Sequence, residues 1–377
     1  MYKRRVLFIL HLPPPIHGAA IVGKQVKDIF ENKPLYKSLF INIGTSETIT
    51  DIGTRQVKKI FTYLSLLWKV IKEANYFKPH LCYFVINANG PAFIKDSIVA
   101  FIVKAYGIPI IYHLHNKGIS EFQNKFFYDA LYKKVYSNGT TILLSNLLFE
   151  DISKYVPIRN VMILPNGIPI RNIPSPVSKN INPERLVSIL YLSNYIETKG
   201  VITLMESCLL LKNAGMRFMC RIIGSEGDVK SEQLNNFVRK HNMENYFEIL
   251  EAKYGLSKVY AFLDSDIFVL PTHDDCFPLV LLEAMNYSLP IVTTSVGAIQ
   301  EMVIDGISGF VIDPQDPYSL SEKLKMLLND SDLRNKMGQN GRDKLVNNFT
   351  ISAFEQRLCR IFDRYFAKTL LSKNIVN

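Results

Sequence analysis

Short, β-rich apolar runs alternate with longer amphipathic segments along the whole of this 377-residue chain. Strands apolar on both faces must be covered on both faces. The alternation therefore specifies an α/β fold in which helices flank parallel sheets. The pattern predicts six strands in the first half, over Val6–Leu10, Leu39–Ile43, Leu81–Ile86, Ile108–Tyr112, Thr140–Leu144 and Val161–Leu164. A Pro- and Asn-rich stretch from Pro165 to Pro183 interrupts it. It then restarts, with strands expected over Leu186–Leu192, Phe218–Ile223, Phe247–Leu250, Ile267–Leu270, Ile291–Thr293 and Phe310–Ile312. Helical segments near Pro317–Asn329, Asp332–Asn347 and Ser352–Leu371 close the chain.

A single hydrophobic core stops growing near about 250–300 residues, so a chain of this length implies two. We expect a Rossmann-like domain over residues 1–170, completed by about 352–377, a linker over 171–184, and a second Rossmann-like domain over 185–351. Both are doubly wound. Open α/β sheets bind ligands outside their strand C-termini, which makes a central cleft between the two the expected place for chemistry.

Composition narrows the possible functions. The five cysteines, Cys82, Cys208, Cys220, Cys276 and Cys359, are odd in number and include no C-x-x-C pair, which argues against a disulfide framework or a structural zinc site. A reducing cytoplasm fits. The run Val6–Leu10 is stopped by His11 and Pro13-Pro14-Pro15 too early for a signal peptide, and no apolar run reaches the ~18–20 residues that span a bilayer. Asp264-Ser265-Asp266 has the spacing of a D-x-D metal site, but Asp266 immediately precedes a buried strand, and no metal is expected.

The net charge of +10 is uneven: residues 1–180 hold 23 Lys and Arg against 10 Asp and Glu, and the remainder 21 against 24. The surplus in the first half points to an anionic partner, a membrane surface or a nucleic acid. Val57, Ile60, Phe61, Leu64, Leu67, Trp68, Ile71 and Ala74 make one apolar helical stripe opposite Lys58, Lys59, Lys69 and Lys72. Core packing of that stripe is expected in preference to an interfacial membrane helix.

The segment from Asp266 to Met285 reads as a strand, a polar loop and a helix with Pro278 at its first position. A helix start offers unpaired N–H groups and a partial positive charge, so a diphosphate can settle on the amides near Phe277, Pro278, Leu279 and Val280, beside Cys276. Asp275 in the loop and Glu283 in the helix can accept hydrogen bonds from sugar hydroxyls. In the first half, His11-Leu12-Pro13-Pro14-Pro15-Ile16-His17-Gly18 links a strand to a helix, where Gly18 would let backbone approach a ligand closely.

A carboxylate, seven residues and a Glu, within Asp275-Cys276-Phe277-Pro278-Leu279-Val280-Leu281-Leu282-Glu283-Ala284-Met285, resembles the signature of glycosyltransferase family 4, retaining enzymes of GT-B architecture. Leu289-Pro290-Ile291-Val292, Val296-Gly297-Ala298, Gly309-Phe310 and Pro314 continue the likeness over nearly the whole chain. The resemblance implies that the first carboxylate, usually Glu and here Asp275, contacts the donor sugar, and that Glu283 binds the ribose. Leu192-Ser193-Asn194-Tyr195-Ile196-Glu197-Thr198-Lys199-Gly200 is similar to the family's phosphate-binding turn; Lys199 is the implied diphosphate partner, and Asn194 stands where the family often has Arg. Gly224 resembles a second glycine turn near base or ribose, His115 matches a position that assists at the donor sugar, with His113 as its alternate, and Asn166-Gly167 resembles the domain hinge. No covalent nucleophile is evident, which a front-face route tolerates.

The implied activity is metal-independent transfer of a hexose-type sugar from a UDP or GDP sugar, used as co-substrate without a cofactor, to a glycan or lipid-linked acceptor in bacterial surface polysaccharide synthesis. Peripheral contact with the anionic inner face of the plasma membrane would then explain the basic first half, and nucleic acid is not expected. A sugar-nucleotide epimerase of the same architecture and a non-catalytic partner subunit are the alternatives.

Overall fold

The computed structural model describes the backbone of residues 3–44, 56–171 and 185–375, with side chains over 3–44, 60–171 and 185–367. The expected linker 171–184, with Pro174, Pro176 and Pro183, lies outside the described residues apart from Arg171. The chain forms two compact units, residues 1–166 with 354–377, and residues 167–353.

The first unit holds β1 (Arg4–Leu10), α1 (Gly18–Glu31), β2 (Tyr36–Asn42), α2 (Gln56–Phe77), β3 (Leu81–Ile86), α3 (Gly90–Ala105), β4 (Ile110–Leu114), α4 (Ile119–Phe122), α5 (Phe126–Tyr136), β5 (Thr140–Leu143) and β6 (Val161–Ile163). The second holds β7 (Ser188–Leu192), α6 (Val201–Asn213), β8 (Met219–Gly224), α7 (Ser231–Lys240), β9 (Phe247–Glu251), α8 (Gly255–Leu263), β10 (Ile267–Leu270), α9 (Leu279–Asn286), β11 (Ile291–Thr294), α10 (Ile299–Met302), β12 (Gly309–Ile312), α11 (Pro317–Asn329) and α12 (Ser331–Asn348). Helix α13 (Ile351–Ile375) ends the described chain.

Each unit has one six-stranded sheet, in the orders β2-β1-β3-β4-β5-β6 and β12-β11-β10-β7-β8-β9, with every pairing parallel. All six residues of β3 are buried, as an interior parallel strand requires. In the first unit, Leu7 and Ile9 share a core with α2, α3 and α5. Phe8 points the other way, its ring 4.9 Å from Phe30 of α1 and 5.9 Å from Phe362 of α13.

Several expectations need correction. Strand β2 runs Tyr36–Asn42 rather than Leu39–Ile43, each residue paired with β1, and β7 begins at Ser188 rather than Leu186. Strand β4 begins at Ile110, not Ile108: Gly107 turns the chain at φ +69°, and Pro109 has no N–H to donate to a ladder. The stripe of α2 does not pack as one face. Ala74 is buried and Leu67 half-buried, but Ile60, Phe61, Leu64, Trp68 and Ile71 are exposed; the buried side is made by Tyr63, Leu66, Leu67, Val70 and Ala74. The side chains of Val57, Lys58 and Lys59 lie outside the described residues.

Gly338, inside α12, shows how tightly the second unit is packed. A Cβ there would sit 1.9 Å from the Ser288 carbonyl oxygen. Alanine gains about 1 kcal/mol of helix propensity over glycine, but overpacking against backbone costs about 1–3 kcal/mol, so the clash wins. Gly338→Ala should lower the denaturation midpoint of the second unit, and a higher midpoint in urea would contradict this packing.

Candidate functional site

Strand order reverses once in each sheet, between β7 and β10 in the second unit and between β1 and β3 in the first. Loops leaving neighbouring strands diverge to opposite faces at such a point and open a crevice at the strand C-termini. Both groups of sequence-predicted residues lie at these reversals.

In the second unit, β7 runs into a short turn ending at Lys199, and β10 into the loop carrying Asp275. The two loops are bonded together: the Thr198 carbonyl accepts from His273 N at 2.7 Å and Thr272 Oγ1 at 3.0 Å. Lys199 Nζ donates to the Asp274 carbonyl at 2.9 Å and to Asp275 Oδ2 at 2.6 Å, while Asp275 Oδ1 accepts from Cys276 N at 2.9 Å. Gly200 permits this approach, with φ +78° and its Cβ direction filled by the Pro271 carbonyl at 1.9 Å. Gly224, ending β8, likewise sits against the Ser193 carbonyl.

Pro278 caps α9 rather than opening it, because its ψ of 110° is extended and the helix starts at Leu279. Cys276, Phe277 and Pro278 are buried, and the Phe277 ring meets Phe349 at 5.8 Å, so their side chains face inward. Asp274 is the exposed side chain of that loop, and Asp275, Leu279 and Val280 are half-buried. Four residues into α9, Glu283 is gripped by Lys258 of α8, whose Nζ donates to both carboxylate oxygens at 2.8 and 2.6 Å. Lys258 carried no sequence signal of its own. Asn194 is exposed, and its carbonyl accepts from Ile196 N. Asp266 of the D-x-D pattern is occupied structurally, accepting from Ser188 N at 2.9 Å and pairing with Arg185 at 3.2 Å.

In the first unit, a cavity of about 380 Å³ opens at the reversal, lined by His11, His17, Asn87, Asp96, His115 and Asn116 among others. Gly18 is the exposed first residue of α1, and His17 caps that helix by accepting from Ala20 N at 3.3 Å. Close backbone approach belongs instead to Gly23, whose Cβ direction meets the His11 carbonyl at 2.0 Å. His113 is buried behind His115, ring centroids 4.1 Å apart, and shares a short hydrogen bond between its Nδ1 and the Tyr83 hydroxyl. His115 Nε2 is enclosed and has no hydrogen-bond partner among the described residues.

Burial and mutual proximity keep these imidazoles neutral: His11 is pushed down to about 4 and His115 to about 3, and His113 falls well below its ordinary value. Neutral imidazoles offer one donor and one acceptor each, which suits hydroxyl-rich ligands. Burial pushes the Asp96 carboxyl up to about 6, despite N–H bonds from Asn87 backbone and side chain at 2.9 and 2.8 Å.

Residues 176–344 match the family of glycosyl transferases group 1. A capsular polysaccharide biosynthesis glycosyltransferase of Staphylococcus aureus is 25% identical over 179 residues, 48% of this chain and 46% of the relative. A UDP-Gal:alpha-D-GlcNAc-diphosphoundecaprenol alpha-1,3-galactosyltransferase of Escherichia coli is 23% identical over 274 residues, 69% of each chain. The chain thus spans about half to two thirds of the length of these curated relatives. The crystal structure of Anabaena HepE in complex with UDP superposes with a TM-score of 0.73 at 16% identity, covering 96% of this chain and 100% of that one. The fold is GT-B, built from two Rossmann-like domains.

The Asp96 shift has a signed consequence. The folded protein keeps this proton up to about pH 6, while the unfolded chain releases it near 3.8, so the group costs stability increasingly as pH rises through that window. The histidines act oppositely: held neutral when folded, they withdraw stability as pH falls below about 6.5. Asp96→Asn keeps an acceptor for Asn87 but cannot ionise. Compared by thermal melts, it should exceed wild type by on the order of 3 kcal/mol at pH 7 and match it near pH 4. A pH-independent difference would mean that Asp96 ionises as an ordinary carboxylate.

Proposed function

We propose that this chain is a retaining glycosyltransferase that moves a hexose-type sugar from a UDP or GDP sugar to an oligosaccharide or lipid-linked acceptor in bacterial surface polysaccharide synthesis. The observation that carries the reading is the Lys199–Asp275 pair at the β7/β10 reversal, beside the start of α9. A cation held by a carboxylate at a helix N-terminus is a charge-balanced anion site: an incoming diphosphate takes over the ammonium, and Asp275 is released toward the sugar hydroxyls. The group 1 match over residues 176–344 and the polysaccharide roles named for the relatives support it.

In this mechanism the amides of α9 and Lys199 offset the charge that grows on the leaving diphosphate. Glu283, oriented by both contacts from Lys258, accepts from the ribose hydroxyls. His115, neutral and with no partner for Nε2 among the described residues, hydrogen-bonds the donor sugar as the family resemblance implies. No metal enters the scheme: Lys199 and the helix dipole supply the positive charge.

Four tests bear on this reading and on its alternatives, the epimerase and the idle subunit. Thermal shift with UDP, GDP and ADP sugars should show stabilisation by one base, about 2.7 kcal/mol at a hundredfold excess over Kd. Lys199→Ala should lower kcat/KM for transfer by about 10²–10³. Glu283→Ala should weaken donor binding. A donor sugar altered in the absence of acceptor would favour the epimerase, and undiminished transfer by Lys199→Ala would reject the proposed donor site.

A further inference from the structure

We propose that the outward face of α2 docks on an anionic phospholipid bilayer. This goes beyond the transfer reaction, which concerns the strand C-termini and not this helix face. At 3.6 residues per turn, Ile60, Ile71, Leu64, Trp68 and Phe61 fall within an arc of about 100°, and from Ile60 to Ile71 they extend over about 16 Å of helix. All five are exposed, Phe61 by 68% and Trp68 by 63%. The neighbouring arc, Tyr63, Leu66, Leu67, Val70 and Ala74, centred about 120° away, is what holds the helix to the core, and the Tyr63 hydroxyl ties it to α3 by donating to the Lys95 carbonyl at 2.7 Å. The helix is therefore apolar over two adjoining arcs, and only one is used by the fold.

The flank of the unused side selects the partner. Lys72 and Lys69 follow Phe61 around the projection, and Lys72 Nζ lies 5.3 Å from the centre of the Trp68 ring. Both lysines are exposed, and the outward arc has no acidic side chain among its described residues. An apolar strip carrying an indole and bordered by ammonium groups matches the boundary between acyl chains and anionic headgroups. The charge surplus of residues 1–180, 23 basic against 10 acidic, extends the attraction beyond the helix. A protein partner would need carboxylates placed opposite Lys69 and Lys72, whereas an anionic bilayer supplies charge at any registration.

Trp68 is the only tryptophan of the chain, so intrinsic fluorescence of the unmodified protein reports on this face alone. With phosphatidylcholine vesicles containing phosphatidylglycerol, the emission should shift to the blue and be quenched by brominated acyl chains. Both effects should weaken with added salt and with phosphatidylcholine alone. The double change Phe61→Ser with Leu64→Ser, at two exposed positions, should weaken vesicle binding about tenfold or more with unchanged circular dichroism. Emission unaltered by anionic vesicles overturns the proposal. So does emission already blue and shielded from iodide in the free protein, which would mean that another segment of the chain covers the face, or a blue shift on raising protein concentration without vesicles, which would mean that a second copy does. Vesicle binding requires neither donor nor acceptor, so its failure leaves the transferase reading intact and is distinguishable from failure of transfer.

Discussion

The ion pair between Lys199 and Asp275 is the interaction on which the proposed donor site depends. It joins the loops that leave β7 and β10, the two strands between which the sheet reverses direction, and it sits beside the first amides of α9. Side-chain exposures of 24% and 18% leave it partly screened, so its value is positional more than energetic. Without a ligand the carboxylate neutralises a cation that would otherwise stand alone at a helix N-terminus. With one, the same cation is already placed. The close contacts of Gly200 with Pro271 and of Gly297 with Asp275 carbonyls hold the loops at the separation this requires.

The two reversals have opposite electrostatic characters. The second unit presents paired full charges, Lys199 with Asp275 and Lys258 with Glu283. In the first unit, burial and mutual proximity hold His11, His113 and His115 neutral, and burial pushes the Asp96 carboxyl up to about 6. In the proposed reading, the second unit takes the nucleotide diphosphate and the first a polyol.

The parallel-sheet architecture was legible because a buried strand cannot hide its composition: Leu81–Ile86 and Ile267–Leu270 are apolar throughout and are strands at those bounds. Where the sequence misled, a local cause can be named. Pro109 and Gly107 delay β4, and the ψ of Pro278 delays α9 by a residue. For α2, periodicity identified residues that share a face but could not tell which of two adjoining apolar arcs the core would take; the Ile60, Phe61, Leu64, Trp68 and Ile71 arc looked like core, and the arc of Leu66, Val70 and Ala74 is core. Lys199 and Asp275 stood out as candidates because they sit within motifs. Lys258 and Asp96 did not, since each matters only through a partner 25 or 9 positions away that folding brings close.

In the proposed function a nucleotide sugar binds at the β7/β10 reversal by taking Lys199 from Asp275. Hydrogen exchange of the full chain is compared with and without the stabilising nucleotide sugar. Slowed exchange is expected over residues 193–200 and at the start of α9 near 279–281, with α2 unaffected. Slowing confined to the first unit, with both second-unit loops unchanged, would contradict it.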